Sequence, residues 1–463
     1  MTPMQRLLLP LTGVALASIL GLAIRLDWVD KRSALRRTEK RWDAKLEWEP
    51  GLGKALWSHD EYLIYTSAAV NAFRGRGLVS DYNRARDGVY VAQPGQALFV
   101  LGLFHLWGGV PDAKLLFRAQ ALVSALMIPL SAWVVARLVS PLAGAVAALL
   151  VAVHPSFVFW SAFLMTESNY LVGLTLLLVL LLRFVERPNW RRALLAALWL
   201  GILSLQRLNA LYLGPVMALF VVATKGLRQA RFAALIYLVV PYLVPLPWLF
   251  HNLRAWGEPV YLNNAVGIQF YLSNHATLDP LVTPYFEEAA SSIPELEARF
   301  RGVDGRLRTT YYPYSNAYGT AAFSEIAGNP LRFLRNYLIK LAQQFYLLRD
   351  DTNRAVAFFQ ARGRYAVLHW TLLFSGLLGC GGLARWRPGP ASTLFLTVFA
   401  YFALIHALSI SSLDGRYTLN LKLFLTLGSA AGIGLLFESV LALLKVGSSA
   451  HAMGIDRVEQ QCE

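Results

Sequence analysis

The amino-acid sequence predicts an all-α polytopic membrane protein, and three observations carry that prediction. Of its 463 residues, 56% are hydrophobic and only 15% charged, against about 45–50% and about 25% in soluble domains. Mean hydropathy is +0.45. Apolar runs long enough to cross a bilayer, about 20 residues each, recur along the chain with basic residues between them. An ordinary cytosolic enzyme, a disordered chain and a collagen-like chain are all excluded. The net charge of +15 gives no reason to expect nucleic acid as a partner, because basic residues between apolar runs orient a membrane protein. Cys380 and Cys462 lie far apart in sequence and imply neither a disulfide framework nor a zinc site.

Taken in order, the expected spans are 7–26, 117–138, 142–160, 168–184, 193–206, 210–224, 232–250, 365–383, 391–410 and 417–440. That makes ten, or eleven if Gly95–Trp107 also crosses. Only Met1–Arg6 precedes the first run, which has no small-residue cleavage site and continues into Arg25–Asp27, so it reads as a retained anchor. The 13 residues of Gly95–Trp107 would reach only about 20 Å as a helix, short of a hydrocarbon core of about 30 Å. They read as an interfacial or re-entrant helix. The whole of 1–440 forms one membrane domain, with a first loop over 27–110, a second large loop over 251–363, and a cytoplasmic tail at 441–463. Asp30–Lys45 is a charged helix-like stretch. In Leu331–Leu348, apolar residues at helical spacing alternate with Arg332, Arg335 and Lys340, the pattern of a helix lying on the membrane surface.

Three short loops set the orientation: Arg183, Arg187, Arg191 and Arg192; Lys225, Arg228 and Arg231; Arg385 and Arg387. Counting spans puts all three on one side, which the positive-inside rule makes cytoplasmic. Glu167, Arg207–Asn209, Asp414–Arg416 and the 251–363 loop then face outward. Lys31, Arg32, Arg36, Arg37, Lys40 and Arg41 follow the first span, and by local charge they would draw 27–94 to the cytoplasm instead. The rule weakens for loops beyond about 60 residues, so charge alone leaves this segment open.

Several residues could carry chemistry. Asp60-Glu61-Tyr62 is an adjacent carboxylate pair beside Trp57 and His59, able to hold one proton or a divalent cation and to act as a general base. A solvated acidic loop would look the same. Glu167 lies at the outer mouth of two spans, where an ionisable group marks a site or simply complements a helix N-terminus. Arg207, Arg254 and Arg416 are suited to bidentate phosphate binding, or snorkel to headgroups. Lys422 lies about a turn and a half deeper in the last span and either reaches back to the same place or snorkels. Asn274, His275 and Asp279 are close in sequence but make a weak metal set. No glycine-rich phosphate loop, HExxH, nucleophile elbow or nucleotide fingerprint occurs, so an activated donor would not be a soluble nucleotide.

The order of these features resembles the GT-C glycosyltransferases of the bacterial family 39 and family 83 type, which include protein mannosyltransferases, aminoarabinose transferases of lipid A and galacturonosyltransferases. Asp60-Glu61-Tyr62, with Ala68 and Gly75–Gly77, resembles the acidic motif of the first outer loop. Gln93-Pro94-Gly95 and the run to Gly108 resemble the PPLY segment, with one proline in place of two. Leu116-Phe117-Arg118 resembles the opening of the next helix. His154-Pro155 through Thr166-Glu167 resembles the run to the second acid, where family 39 often has Asp. Leu205-Gln206-Arg207, the stretch from Pro247-Trp248 through Asn252-Leu253-Arg254 to Gly257, and Arg416-Tyr417 resemble the later motifs.

The resemblance implies a GT-C bundle with interfacial helices in an external first loop, in the cell (inner) membrane, and an active site on the periplasmic or extracellular face. It implies a polyprenyl-phosphate sugar donor, a lipid, glycan or protein acceptor, and inversion at the anomeric carbon. Asp60 would deprotonate the acceptor, with Glu61 and Glu167 as further acidic residues. Arg207, Arg254, Arg416 and Lys422 would hold the donor phosphate. A divalent cation, Mg or Mn, would sit at Asp60 and Glu61. A polysaccharide ligase or polymerase would not need the acidic first loop, and a transporter would be expected to show repeated halves, which this chain lacks.

Overall fold

A computed structural model describes residues 3–35, 61–81, 92–257, 259–263, 266–274, 312–346, 362–409 and 418–459, and every element among them is helical. Eight helices are long and apolar enough to span: Leu8–Lys31, Ala113–Leu138, Thr166–Glu186, Leu208–Lys225, Leu227–Trp256, Tyr365–Trp386, Pro390–Leu408 and Leu419–Leu443. Pro141–Val153 and Pro155–Ser161 make a ninth crossing, bent by 56°. The expected span 193–206 forms Trp190–Ser204, 15 residues long and so only about 22 Å. It is an intramembrane-length helix held by its neighbours. Nine of the ten expected spans are thus matched by a helix of spanning length or by the bent pair; the tenth is Trp190–Ser204, shorter than that length, which still carries the chain from the Arg192 end of the bundle to Arg207 at the Glu167 end.

In chain order the helices are α1 (Pro3–Leu35), α2 (Ser67–Phe73, after a π-helical segment Glu61–Thr66), α3 (Gly95–Trp107), α4 (Ala113–Ala125), α5 (Met127–Leu138), α6 (Pro141–Val153), α7 (Pro155–Ser161), α8 (Thr166–Glu186) and α9 (Trp190–Ser204). They continue as α10 (Leu213–Lys225), α11 (Leu227–Leu243), α12 (Leu246–Trp256), α13 (Val266–Asn274), α14 (Tyr312–Gly328), α15 (Pro330–Tyr346), α16 (Arg362–Trp386), α17 (Pro390–Ser409) and α18 (Leu419–Glu459). Most of α8 is buried, and α4, α5, α9, α17 and α18 pack around it. The cytoplasmic tail expected at 441–463 begins as a continuation of α18. Asp30–Leu35 likewise continues α1 rather than starting a separate helix, and the rest of the expected stretch to Lys45 lies outside the described residues.

The bend between α6 and α7 has a local cause. Pro155 has no N–H to give to the Val151 carbonyl, and the Ser156 N–H donates to His154 Nδ1 at 3.2 Å instead of continuing the helix. Val151 and Ala152 are thereby left with carbonyls inside an apolar bundle, where an unpaired polar group is costly. Arg25 of α1, fully buried, donates to both, at 3.3 and 3.1 Å, and to Gly21 O and Ser124 Oγ. A charged residue near the end of the first span thus seals a broken helix five helices later in the chain.

Helices α16 and α18 cross at small residues. A Cβ on Gly379 would lie 1.9 Å from the Gly428 carbonyl oxygen, so the two backbones meet as closely as glycine allows. Helix α15 covers most of the stretch 331–348 expected to be helical, with Lys340 turned inward. Leu331, Leu334 and Leu338 are exposed on one side, but Lys340 is fully buried on the other.

Candidate active site

Six chain segments converge at one end of the bundle: the starts of α3, α8 and α18, the ends of α9 and α17, and the short turn Leu208–Ala210. Their convergence follows from tight backbone contacts. The Gly95 N–H donates to Leu205 O at 2.8 Å, and a Cβ on Gly95 would come within 2.6 Å of that oxygen, so only glycine permits the approach. Asn169 Nδ2 donates to Gln96 Oε1 at 2.9 Å, tying α3 to α8. The Tyr401 hydroxyl of α17 donates to Asn209 O, and Asn209 Nδ2 meets His406 Nε2 at 3.4 Å.

At the centre, Arg207 Nη2 donates to Glu167 Oε1 at 2.6 Å. The carboxylate is 3% exposed and the guanidinium side chain 13%. Arg207 also lies over the Tyr170 ring, 5.5 Å from its centroid, and the Tyr170 hydroxyl donates to Asn209 Oδ1 at 3.0 Å. One turn of helix separates Glu167 from Tyr170, so a single face of α8 presents an acid and an aromatic platform to the same arginine. The other carboxylate oxygen, Glu167 Oε2, is buried with no protein hydrogen-bond partner. A buried carboxylate oxygen normally has one, so this atom is available to a cation or a donated proton.

The sequence-predicted residues distribute as follows. Glu167 and Arg207 are brought together. Asp60 and Arg416 lie outside the described residues, as do His275 and Asp279. Glu61 opens the π-helical segment that leads into α2. That segment reaches the same end of the bundle: Ile64, Tyr65 and Ala68 face Pro94 and Ala97, with Trp248 and Trp256 of α12, across a small cleft. Arg254 is exposed on the last turn of α12, and Glu167 takes its ion pair from Arg207 rather than from it.

Lys422 does not snorkel to the surface. Its side chain is buried inside the bundle, with Nζ 3.5 Å from the Tyr365 hydroxyl, which in turn meets Ser156 Oγ at 2.8 Å. His154 and His369 line the same small cleft. Lys422 therefore belongs to a polar cluster at the α6–α7 bend rather than snorkelling to the surface. Asn274 is likewise internal: it accepts from Lys340 Nζ at 3.0 Å, and Lys340 also donates to Ser273 O at 2.8 Å. Burial pulls the Lys340 pKa down to about 8.

Sequence reasoning missed Gln96, Tyr170, Asn209 and His406. Gln96 and His406 had a readable signal, as lone polar residues inside apolar runs. Asn209 and Tyr170 had none, because only the crossing of α8 with the α9–α10 turn gives them partners.

Among the described residues no three His, Cys, Asp or Glu side chains gather into a metal site. Residues 93–251, which include Gln96, Glu167 and Arg207, match the family described as dolichyl-phosphate-mannose-protein mannosyltransferase. No curated protein matches the chain significantly. The fold is similar to that of an Archaeoglobus fulgidus oligosaccharyltransferase solved as a complex with Zn and sulfate, with a TM-score of 0.54 and 14% identity over 94% of this chain and 51% of that one. It is also similar to the archaeal oligosaccharyltransferase AglB from the same organism, in complex with an inhibitory peptide and a dolichol-phosphate, with a TM-score of 0.50, 14% identity, and 95% and 52% of the two chains covered. The chain thus spans about half the length of these structures. It is a multi-helix membrane protein by composition, shares its fold with these oligosaccharyltransferases, and over residues 93–251 is similar in sequence to the mannosyltransferase family.

Proposed function

We propose that this protein transfers a sugar from a polyprenyl-phosphate donor to a hydroxyl of a lipid, glycan or protein acceptor, with inversion, at the outer face of the cell membrane. The observation that carries the reading is the buried Glu167–Arg207 pair with its unpartnered carboxylate oxygen, inside the segment that matches the mannosyltransferase family. The solved relative in complex with a dolichol-phosphate and a peptide supports a lipid-phosphate donor.

In this reaction the acceptor oxygen attacks the anomeric carbon from the face opposite the phosphate. The bond from that carbon to the phosphate oxygen breaks, and polyprenyl phosphate leaves with the electron pair. The acceptor proton passes to the Asp60 carboxylate as general base, a contribution of about 10²–10⁴-fold. Arg207, with Arg254 and Arg416, stabilises the charge that develops on the leaving phosphate. Glu167 holds the Arg207 fork in place, and the Tyr170 ring supports its flat side. A divalent cation, Mg or Mn, would be held by Asp60 and Glu61 with Glu167 Oε2 as the available buried oxygen, and it would supply Lewis-acid charge at the phosphate.

Membranes containing the protein should move label from polyprenyl-phosphate sugars to an endogenous acceptor. Asp60→Asn, nearly isosteric, should lower that turnover at least a hundredfold while donor binding persists. An Asp60→Asn enzyme with close to full turnover would remove Asp60 from the mechanism.

A further inference from the structure

The other end of α8 carries a second cluster, about 24 Å along the helix from Glu167 at about 1.5 Å per residue. There α5, α8 and α9 line a half-open cleft of about 380 Å³. Arg137, Arg183, Arg187 and Arg192, the single carboxylate residue Glu186, and the apolar Trp133, Leu180 and Leu195 line it.

The five charges are not equivalent. Arg137 Nε donates to Glu186 at 2.6 Å. Arg192 donates to the Arg183 and Arg187 carbonyls, at 2.7 and 3.3 Å, and so closes the end of α8. Arg183 and Arg187 have no carboxylate partner among the described residues. Arg183 lies over the Trp133 ring at 5.4 Å from its centroid, on the same ring that Arg137 approaches at 5.7 Å. Arginines that only orient the chain in the membrane need neither a cleft nor an aromatic platform. Here two unneutralised forks share a cleft with a leucine wall, and Leu195 is exposed on the side of the bundle.

We propose that this cleft binds the headgroup of an anionic membrane phospholipid, with the phosphate on Arg183 and Arg187 and the first acyl methylenes along Leu180 and Leu195. Basic pockets between transmembrane helices recognise such headgroups, and the planar fork of arginine fits a phosphate. The site lies at the opposite end of the bundle from Glu167 and is independent of the proposed transfer reaction.

Native mass spectrometry of the full chain in neutral detergent, titrated with phosphatidylglycerol, tests it. One phosphatidylglycerol should be retained per chain, and phosphatidylcholine should not displace it. Arg183→Gln with Arg187→Gln should weaken retention about thirtyfold. Arg228→Gln with Arg231→Gln, which removes exposed charge from another loop at the same end, should leave it unchanged. Leu195→Asp, on the exposed wall, should reproduce the loss without touching an arginine and stands in if the first variant fails to fold. Equal weakening in both double variants would mean a diffuse field and overturn the proposal. Displacement of the lipid by inorganic phosphate at millimolar concentration would overturn it too, since the leucine wall would then contribute nothing.

Discussion

Helix α8 carries two arginine–glutamate pairs, one at each end, and both have the same 2.6 Å separation. Glu167–Arg207 is almost enclosed, whereas in Arg137–Glu186 the side chains are 50% and 30% exposed. Equal distance does not mean equal energy. An enclosed pair is strongly destabilising to break, because the remaining charge stays in a poor dielectric. An exposed pair exchanges its partner for water, and its contribution is at most about 1 kcal/mol. The first end therefore holds a fixed charge arrangement, which the proposed stabilisation of a leaving phosphate would use. The second can exchange its partners, as lipid binding needs. Lys340 is a third case, a buried cation that among the described residues donates to a carbonyl and an amide oxygen.

The sharpest way to break this comparison is to move one end to the other side of the membrane. A cysteine at Ser58, in a background lacking Cys380 and Cys462, should react fully with an impermeant maleimide in intact spheroplasts, as should a Ser291→Cys control. Labelling of Ser58→Cys only after lysis would separate Asp60 from the proposed outer site by a core of about 30 Å, and the transfer mechanism would fall.

Next in size is Arg207→Ala, expected to cost about 3–5 kcal/mol in detergent unfolding because Glu167 is left charged and buried. Adding Glu167→Gln should recover much of that stability but none of the transfer activity. Arg207→Lys keeps the charge and loses the fork, so partial turnover is expected. If the double variant is no more stable than Arg207→Ala, the penalty does not come from the stranded carboxylate.

Lys340 gives a smaller, pH-dependent effect. Its pKa falls from about 10.5 in the unfolded chain to about 8 when folded, so between these values the unfolded state binds more protons. Stability should rise with pH across that window, and the cost of burying the charge is fully present below pH 8. Melting temperatures of the wild type against Lys340→Met, from pH 7 to 10, should converge as pH rises. Parallel curves would show that the lysine keeps its ordinary pKa. The smallest effect belongs to Arg137→Ala, expected within about 1 kcal/mol of wild type and with transfer unchanged.

Much of the fold is legible in the amino-acid sequence because hydropathy is a local property. The expected run 168–184 became Thr166–Glu186, and 391–410 became Pro390–Leu408. Gly95–Trp107 is a 13-residue helix with those ends, since the glycine after it adopts a φ of 69° that stops it there. The break in 142–160 was not foreseen. Pro155 announces a bend, but an apolar run can tolerate a proline when something else satisfies the freed carbonyls, and that partner, Arg25, lies about 130 residues earlier in the chain.

The candidate site divides in the same way. Glu167 and Arg207 stood out alone, as charges at the mouths of apolar runs, because a charge near a bilayer core is costly enough to need a reason. Their pairing did not, nor did Tyr170, Asn209 and the inward turn of Lys340 and Lys422. Sequence by itself determined which segments are apolar, where the charges fall between them and which residue types are available for phosphate and proton chemistry. Tertiary structure decided which of those charges meet and which are buried. That depends on helices crossing at glycine contacts such as Gly95 with Leu205, and the energy of a charge is set by the partners and dielectric such a crossing supplies.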